Sequence, residues 1–307
     1  MLVGGPGIRR RVCDALTMPL FADFVADAVA TGSPAAAHRY LLIDTSATHG
    51  VHVAKELRLD SDAIDVLTRA PCDWNESASP VLVSLPQRPA TPSDAERLKN
   101  WLLRWRYGNC VAYIESDLAM QDLAAELHAR CDALLPDNMP VVLRYFDGRV
   151  MSALLTALLP EQLASFLQCA SRWALADRSG ELVLLPPRPE RPATRFNAPL
   201  ALNVEQQAAL IDAGEADAVV GILLDQMHHK LMPMLPPEQH DTISKALHRA
   251  QESKLTKLSD QVSFCSLWLE LGGSFDEAEP WATFIRQVAA GTLTFDQALI
   301  SMSAWQA

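Results

Sequence analysis

The chain has no apolar run long enough to span a bilayer, no cysteine pair in CxxC spacing and no excess of positive charge. Each absence removes a class of protein. Without a spanning run the chain is expected to be soluble, with no membrane span. Its six cysteines (Cys13, Cys72, Cys110, Cys131, Cys169 and Cys265) are scattered through 307 residues, which favours reduced, mostly buried thiols over a disulfide or zinc framework. A formal charge of −11 argues against a phosphate backbone, so nucleic acid is not an expected partner. Arg9-Arg10-Arg11 precede an apolar stretch, as in an export signal, but Asp14, Asp23 and Asp27 interrupt it. That pattern reads as an amphipathic helix, and a cytoplasmic location is expected.

Signatures of chemistry are equally scarce. There is no GxSxG elbow, no GxGxxG after a strand and no phosphate loop ending in Gly-Lys-Ser/Thr. Glu115-Ser116-Asp117 closes an apolar strand, where open α/β sheets often place active sites, so a hydrolase using this strand end is the alternative to weigh. The same residues also serve as helix caps. His49 and His52, near Asp44, share a helical face but lack a third ligand at a recognisable distance, leaving a metal-dependent protein as a further alternative. His228 and His229 point to different sides of a helix, so surface or capping roles are expected for them and for His240. No cofactor and no metal are expected.

Hydrophobic residues make up 49% of the chain, ample for a core. The first part alternates strand-like runs (Tyr40–Ile43, Val81–Leu85, Cys110–Ile114, Val141–Phe146) with helix-like ones (54–70, a helix opened by Thr91-Pro92, Leu118 to about Leu135, and Arg149–Leu159). Trp173–Leu175 and Leu182–Leu185 read as a hairpin turning through Asp177-Arg178-Ser179-Gly180. Five prolines between 186 and 199 make a stiff connector. Beyond it the pattern is helical. Asn203–Gln206 and Thr294–Gln297 fit capping boxes, and Gly272-Gly273 and Gly291 stand where helices should end. The expected class is α/β: a mixed-sheet lobe with packed helices (39–185), after an N-terminal extension with helical character (1–38), then the connector (186–199) and a lobe of four to six helices (200–307). Acidity concentrates in that last lobe, with six Lys and Arg against fourteen Asp and Glu, a balance of −8 that tilts its partners towards neutral or basic ones.

One decapeptide, Val141 to Val150, carries an arginine inside an apolar run and ends on an aspartate. Alternation puts Val142, Arg144 and Phe146 on one strand face and Leu143, Tyr145 and Asp147 on the other. Asp147 is the expected N-cap of the following helix, accepting the Val150 amide. Arg144 then needs an acid, and Glu115 on a neighbouring strand end is the candidate; the arginine is either an internal ion-pair member or an anchor for a partner's carboxylate or carbonyls. Arg149 is left as an exposed anchor. Trp101, Trp105 and Trp173 are further anchor candidates, although tryptophan at helical spacing is more often core.

Leu143-Arg144-Tyr145-Phe146-Asp147-x-Arg149-Val150, the strand Tyr40–Asp44 and the segment Gly108–Ser116 resemble the type VI secretion effector adaptors, or effector chaperones, a family first known as a domain of unknown function. The resemblance covers about residues 39–185 and continues weakly into the helical lobe, through Leu202–Leu210 and Gly272–Asp276. Members typically have Arg-Phe-Tyr-Asp-Pro-Arg-Val, so Gly148 replaces a proline and should loosen the helix start. The resemblance implies a non-enzymatic bacterial adaptor. It would bind a toxic effector in the cytoplasm and help load it onto the secretion spike, VgrG or its PAAR tip.

Overall fold

The computed structural model describes residues 19–31, 38–46, 62–69, 79–86, 88–187 and 195–306. Cys13, Cys72, His49, His52 and the arginine triplet lie outside them.

A six-stranded sheet in the order β2-β3-β1-β4-β7-β8 organises the first lobe, antiparallel at every pairing. Its strands are β1 (His38–Asp44), β2 (Ala63–Asp65), β3 (Pro80–Ser84), β4 (Val111–Ser116), β7 (Arg172–Ala176) and β8 (Leu182–Leu184). The central strands are apolar on both faces because both faces are covered. Leu41, Ile43, Val81, Val83, Val111 and Tyr113 pack against α1 (Phe21–Thr31) and α2 (Pro92–Arg104). Tyr40, Leu42, Leu82, Ala112 and Ile114 pack the other way, against α3 (Met120–Ala129), α4 (Gly148–Ala157) and α5 (Pro160–Leu167). A second sheet, β6-β5-β9, joins β5 (Asp132–Leu134) to β6 (Pro140–Val142) antiparallel and to β9 (Leu200–Ala201) parallel. Among the described residues, parallel pairing is thus confined to this small sheet.

Several expectations hold. Thr91 caps α2 by accepting the Asp94 amide, with Pro92 in the first turn. The hairpin β7–β8 turns at Asp177, whose Oδ1 accepts the amides of Ser179 and Glu181. Asn203 and Gln206 exchange amide bonds at 2.8 and 3.0 Å, and the Gln297 amide bonds Thr294 Oγ1 at 3.2 Å. Gly272, at φ 100°, caps a helix, and Gly291, at φ 73°, follows another. Cys110, Cys131, Cys169 and Cys265 are free and buried.

The helical character expected before residue 38 is present in α1, which also buries Phe21, Val25 and Val29 against the sheet. Other expectations are corrected. Within 54–70, the described part is a strand and a turn, because Asp65 Oδ1 accepts the amides of Leu67 and Thr68 and stops a helix from forming. The helix from Leu118 ends at Ala129, after which Cys131 from a turn and Ala133 from β5 are buried in the same core. The strand expected over 141–146 stops at Val142; the chain then turns, with the Asp147 amide donating to Arg144 O at 3.0 Å. The turn is why Tyr145 and Phe146 are both buried while Val142 is exposed, against the expected alternation.

The second part consists of α6 (Val204–Gln226), α7 (His228–Leu231), α8 (Pro236–Glu252), α9 (Leu258–Leu271), a short 3-10 turn (Phe275–Glu277), α10 (Trp281–Ala289) and α11 (Phe295–Gln306). α6 serves both regions. Its capping residue Gln206 also donates to Ala157 O and to Gln162 Oε1, at 3.1 and 2.6 Å, while Val219 and Leu223 near its other end sit in the helical core.

Arg130, buried between α3 and α5, was invisible to pattern reading. It donates to the carbonyls of Phe166, Glu126 and Ser165, pairs with Glu126 at 2.8 Å and lies 4.5 Å from the Phe196 ring centroid. Replacing it with methionine keeps much of the packing but strands three carbonyls. Arg130→Met is therefore expected to cost about 3 kcal/mol, read as a lower urea midpoint at unchanged slope.

Candidate binding cleft

The decapeptide sits where the sheet lobe meets α6. Arg144 does not reach Glu115. Its Nη2 lies 2.8 Å from Asp44 Oδ2 and 2.8 Å from Ser46 Oγ. Antiparallel pairing explains the exchange of partners: Arg39 is opposite Glu115 and the Asp44 amide bonds Cys110 O, so Asp44 and Glu115 lie at opposite ends of β1 and β4. Glu115 instead accepts from Tyr113 and Arg172, at 2.9 and 3.1 Å. The ion pair is also lopsided. Asp44 is buried at 3% side-chain exposure while Arg144 is 52% exposed, so the arginine is half buried-pair member and half surface. Its guanidinium also stands 5.6 Å from the Phe146 ring centroid.

Asp147 caps α4, but through the Arg149 amide at 2.9 Å rather than that of Val150. The same carboxylate takes the Arg149 side chain, with Nη2 at 2.6 Å and Nε at 3.0 Å. Arg149 is thus engaged rather than free. Its Nη1 lies 3.6 Å from Asp217 on α6. Asp217 is held in turn by Arg178 from the hairpin turn, at 2.7 and 2.5 Å. Gly148 does not loosen this corner. Its N–H donates to Asn109 O at 2.7 Å, a bond proline lacks, and a Cβ there would stand 3.3 Å from that same oxygen. Asn109 itself adopts φ 51°, a backbone state that asparagine tolerates.

The Arg149–Asp217 contact borders two clefts. The larger, about 510 Å³, lies between Val142, Arg144, Val150 and Ala153 on one side and Leu210, Ala213, Gly214 and Ala218 on the other. The smaller, about 230 Å³, runs past Tyr107 and His240. Burial opposes ionisation of Asp217, but the hydrogen bonds and charge of Arg178, with Arg149, outweigh it and hold the carboxyl below its ordinary value. Arg149 is pushed up, chiefly by its bonds to Asp147 and against burial. Burial, then the Arg178 charge, holds His240 below its ordinary value.

The other candidates are placed elsewhere. Trp101 and Trp173 are core residues, 1% and 4% exposed, with no surface to offer a partner. Trp105 packs half-buried at the edge of the α1–α2 core. Ser116 is buried, and its hydroxyl donates to Cys169 O at 2.6 Å and accepts the Leu118 amide, which commits its proton to a backbone carbonyl. His228 and His229 are exposed, while His240 approaches the ionic cluster. Among the described residues no three His, Cys, Asp or Glu are grouped to hold a metal, and no helix is long and apolar enough to cross a membrane. Arg178 was legible only as a hairpin-turn residue and Asp217 stands in no motif, so neither was marked as part of the site.

Residues 39–165 match the family model described as a domain of unknown function, DUF4123. The matched stretch runs from β1 into α5 and contains Asp44, Arg144, Asp147 and Arg149, whereas Arg178 and Asp217 lie beyond it. No curated protein and no solved structure matches the chain. The matched stretch supplies one wall of the cleft, and α6 supplies the other.

The pH dependence of stability follows from the two low values. A histidine held below 6.5 prefers to be neutral in the fold, so its contribution is whole above that pH. As pH falls below 6.5, the unfolded chain takes up the proton first and stability drops until the folded value is passed. Asp217 keeps its contribution above 3.8 and loses it as pH falls through its folded value. His240→Gln is expected to flatten the decline in the denaturation midpoint just below neutrality and leave the decline in the carboxylate range in place.

Proposed function

We propose that this protein is a non-enzymatic adaptor that binds a type VI secretion effector in the bacterial cytoplasm and promotes its loading onto the VgrG or PAAR spike. The reading is supported by the resemblance around Arg144-Tyr145-Phe146-Asp147 and by the DUF4123 match, which spans the same residues. The observation that carries it is how those residues are spent. Asp147 caps a helix and fixes Arg149, Asp44 fixes Arg144, and together they shape one wall of an open cleft. Such a wall suits recognition, where a few arginine and apolar anchors in a desolvated patch dominate affinity. The hydrolase alternative would need Ser116, whose hydroxyl is buried and bonded to a carbonyl.

The test is co-expression with a VgrG or PAAR spike and a candidate effector from the same genome, followed by pull-down from the folded protein. Recovery of the effector, the spike or both is expected. Arg144→Lys keeps a charge against Asp44 but loses the planar fork, and is expected to recover severalfold less partner while staying folded. Recovery of neither partner by well-folded wild type overturns the proposal, as does turnover abolished by Ser116→Ala.

A further inference from the structure

The small sheet ends on an open edge. β6 pairs with β5, and among the described residues no strand lies on its other side. The register fixes which backbone groups face outward. Leu143 N–H donates to Cys131 O at 2.7 Å and Leu135 N–H to Met139 O at 3.0 Å, with Ala133 opposite Val141 between them. Bonded pairs in an antiparallel ladder alternate, so Val141 turns its groups to β5 while the N–H and C=O of Val142 point away from it. The carbonyl of Pro140 shares that direction. The Arg144 amide, next in the same series, has no hydrogen-bond partner among the described residues.

Three further observations bear on what sits there. Val142 is 63% exposed, unusual for a β-branched residue beside a core. The edge borders the cleft of about 510 Å³, whose far wall is Ala213, Gly214 and Ala218, and a Cβ on Gly214 would meet nothing within 4 Å. Arg144 stands at the end of the edge with Nη2 alone engaged, so Nε and Nη1 keep their donors free among the described residues.

We infer that the β6 edge and this cleft receive an extended segment of a partner polypeptide, added as a fourth strand to the small sheet. The segment's backbone pairs with Val142, its alternate apolar side chains enter the cleft, and an acidic residue meets the free donors of Arg144. A strand is the occupant because it alone repeats an amide and a carbonyl every second residue, about 7 Å apart, as the edge does. A carboxylate is assigned because Arg149, the other cation lining the cleft, is turned to Asp147 and Asp217. Pro140 removes one outward donor, which limits promiscuous pairing and leaves selectivity to the side chains in the cleft. For the identity of the partner this inference rests on the adaptor reading; for the edge itself it does not.

The test selects displayed random twelve-residue peptides on the immobilised full chain and measures the affinity of the selected peptides, labelled, by fluorescence anisotropy. Selected sequences are expected to alternate apolar positions and to carry an acid. Val142→Pro deletes the outward donor and no bond to β5, and Ala213→Arg fills the cleft from the exposed helix wall. Each is expected to weaken peptide binding tenfold or more at an unchanged thermal midpoint, and Ala213→Arg decides alone should Val142→Pro not fold. Failure to select any peptide, or equal binding by Ala213→Arg and wild type, overturns the inference. Because the peptides need neither effector nor spike, failure here beside a successful pull-down sinks the edge and spares the adaptor. The reverse pair of outcomes sinks the adaptor and spares the edge.

Discussion

The carboxylate of Asp217 is the charge on which the junction between sheet and helices turns. It projects from α6 towards two arginines of the sheet lobe, Arg178 on the β7–β8 turn and Arg149 on the first turn of α4. Neither arginine is free to follow solvent. Arg149 is fixed by Asp147, and the α4 start is fixed by the Gly148–Asn109 bond, so the position of α6 is set by a chain of contacts reaching back to the entry of β4. The width of the cleft follows from that position. Partly buried, hydrogen-bonded charge of this kind contributes more than an exposed pair, and loss of one partner leaves the others without neutralisation.

The sheet lobe repeats the device inside its core. Arg39 is buried and donates to the carbonyls of Ala28 and Pro86, tying α1 and the end of β3 to the sheet. Arg130 does the same for α3 and α5. Burying a guanidinium is costly unless its donors are met. Backbone carbonyls at segment ends meet the terminal nitrogens of Arg39 and the Nε, Nη1 and Nη2 of Arg130, whereas Arg39 Nε has no partner among the described residues. Polar specification therefore begins in the core and continues outward through Arg144 and Arg149 to the cleft.

Much of this was legible in the residues. The apolar strands, the caps at Thr91, Asn203, Thr294 and Asp147 and the stop glycines are local signals, set by hydrogen bonds within a few residues. What depends on distant pairing was not. Glu115 was the natural partner for Arg144 if strand ends meet on one side, as in a parallel sheet; antiparallel order places Asp44 there and sends Glu115 to Arg172. Cys131 continued the helical repeat because the turn and strand after α3 bury Cys131 and Ala133 in the same core as the helix. Trp101 and Trp173 carried no mark in the sequence separating anchor from core. Asp217 was silent because its meaning comes from Arg178 and Arg149, far away along the chain.

The central claim is that the cleft between β6, α4 and α6 is the recognition surface. Amide hydrogen exchange across the whole chain, with and without its co-expressed partner, tests it most directly. Slowed exchange concentrated at 140–150 and 210–218 is the result the account predicts. Slowed exchange confined to other surfaces, such as α10 and α11 or the outer faces of α1 and α2, would contradict it.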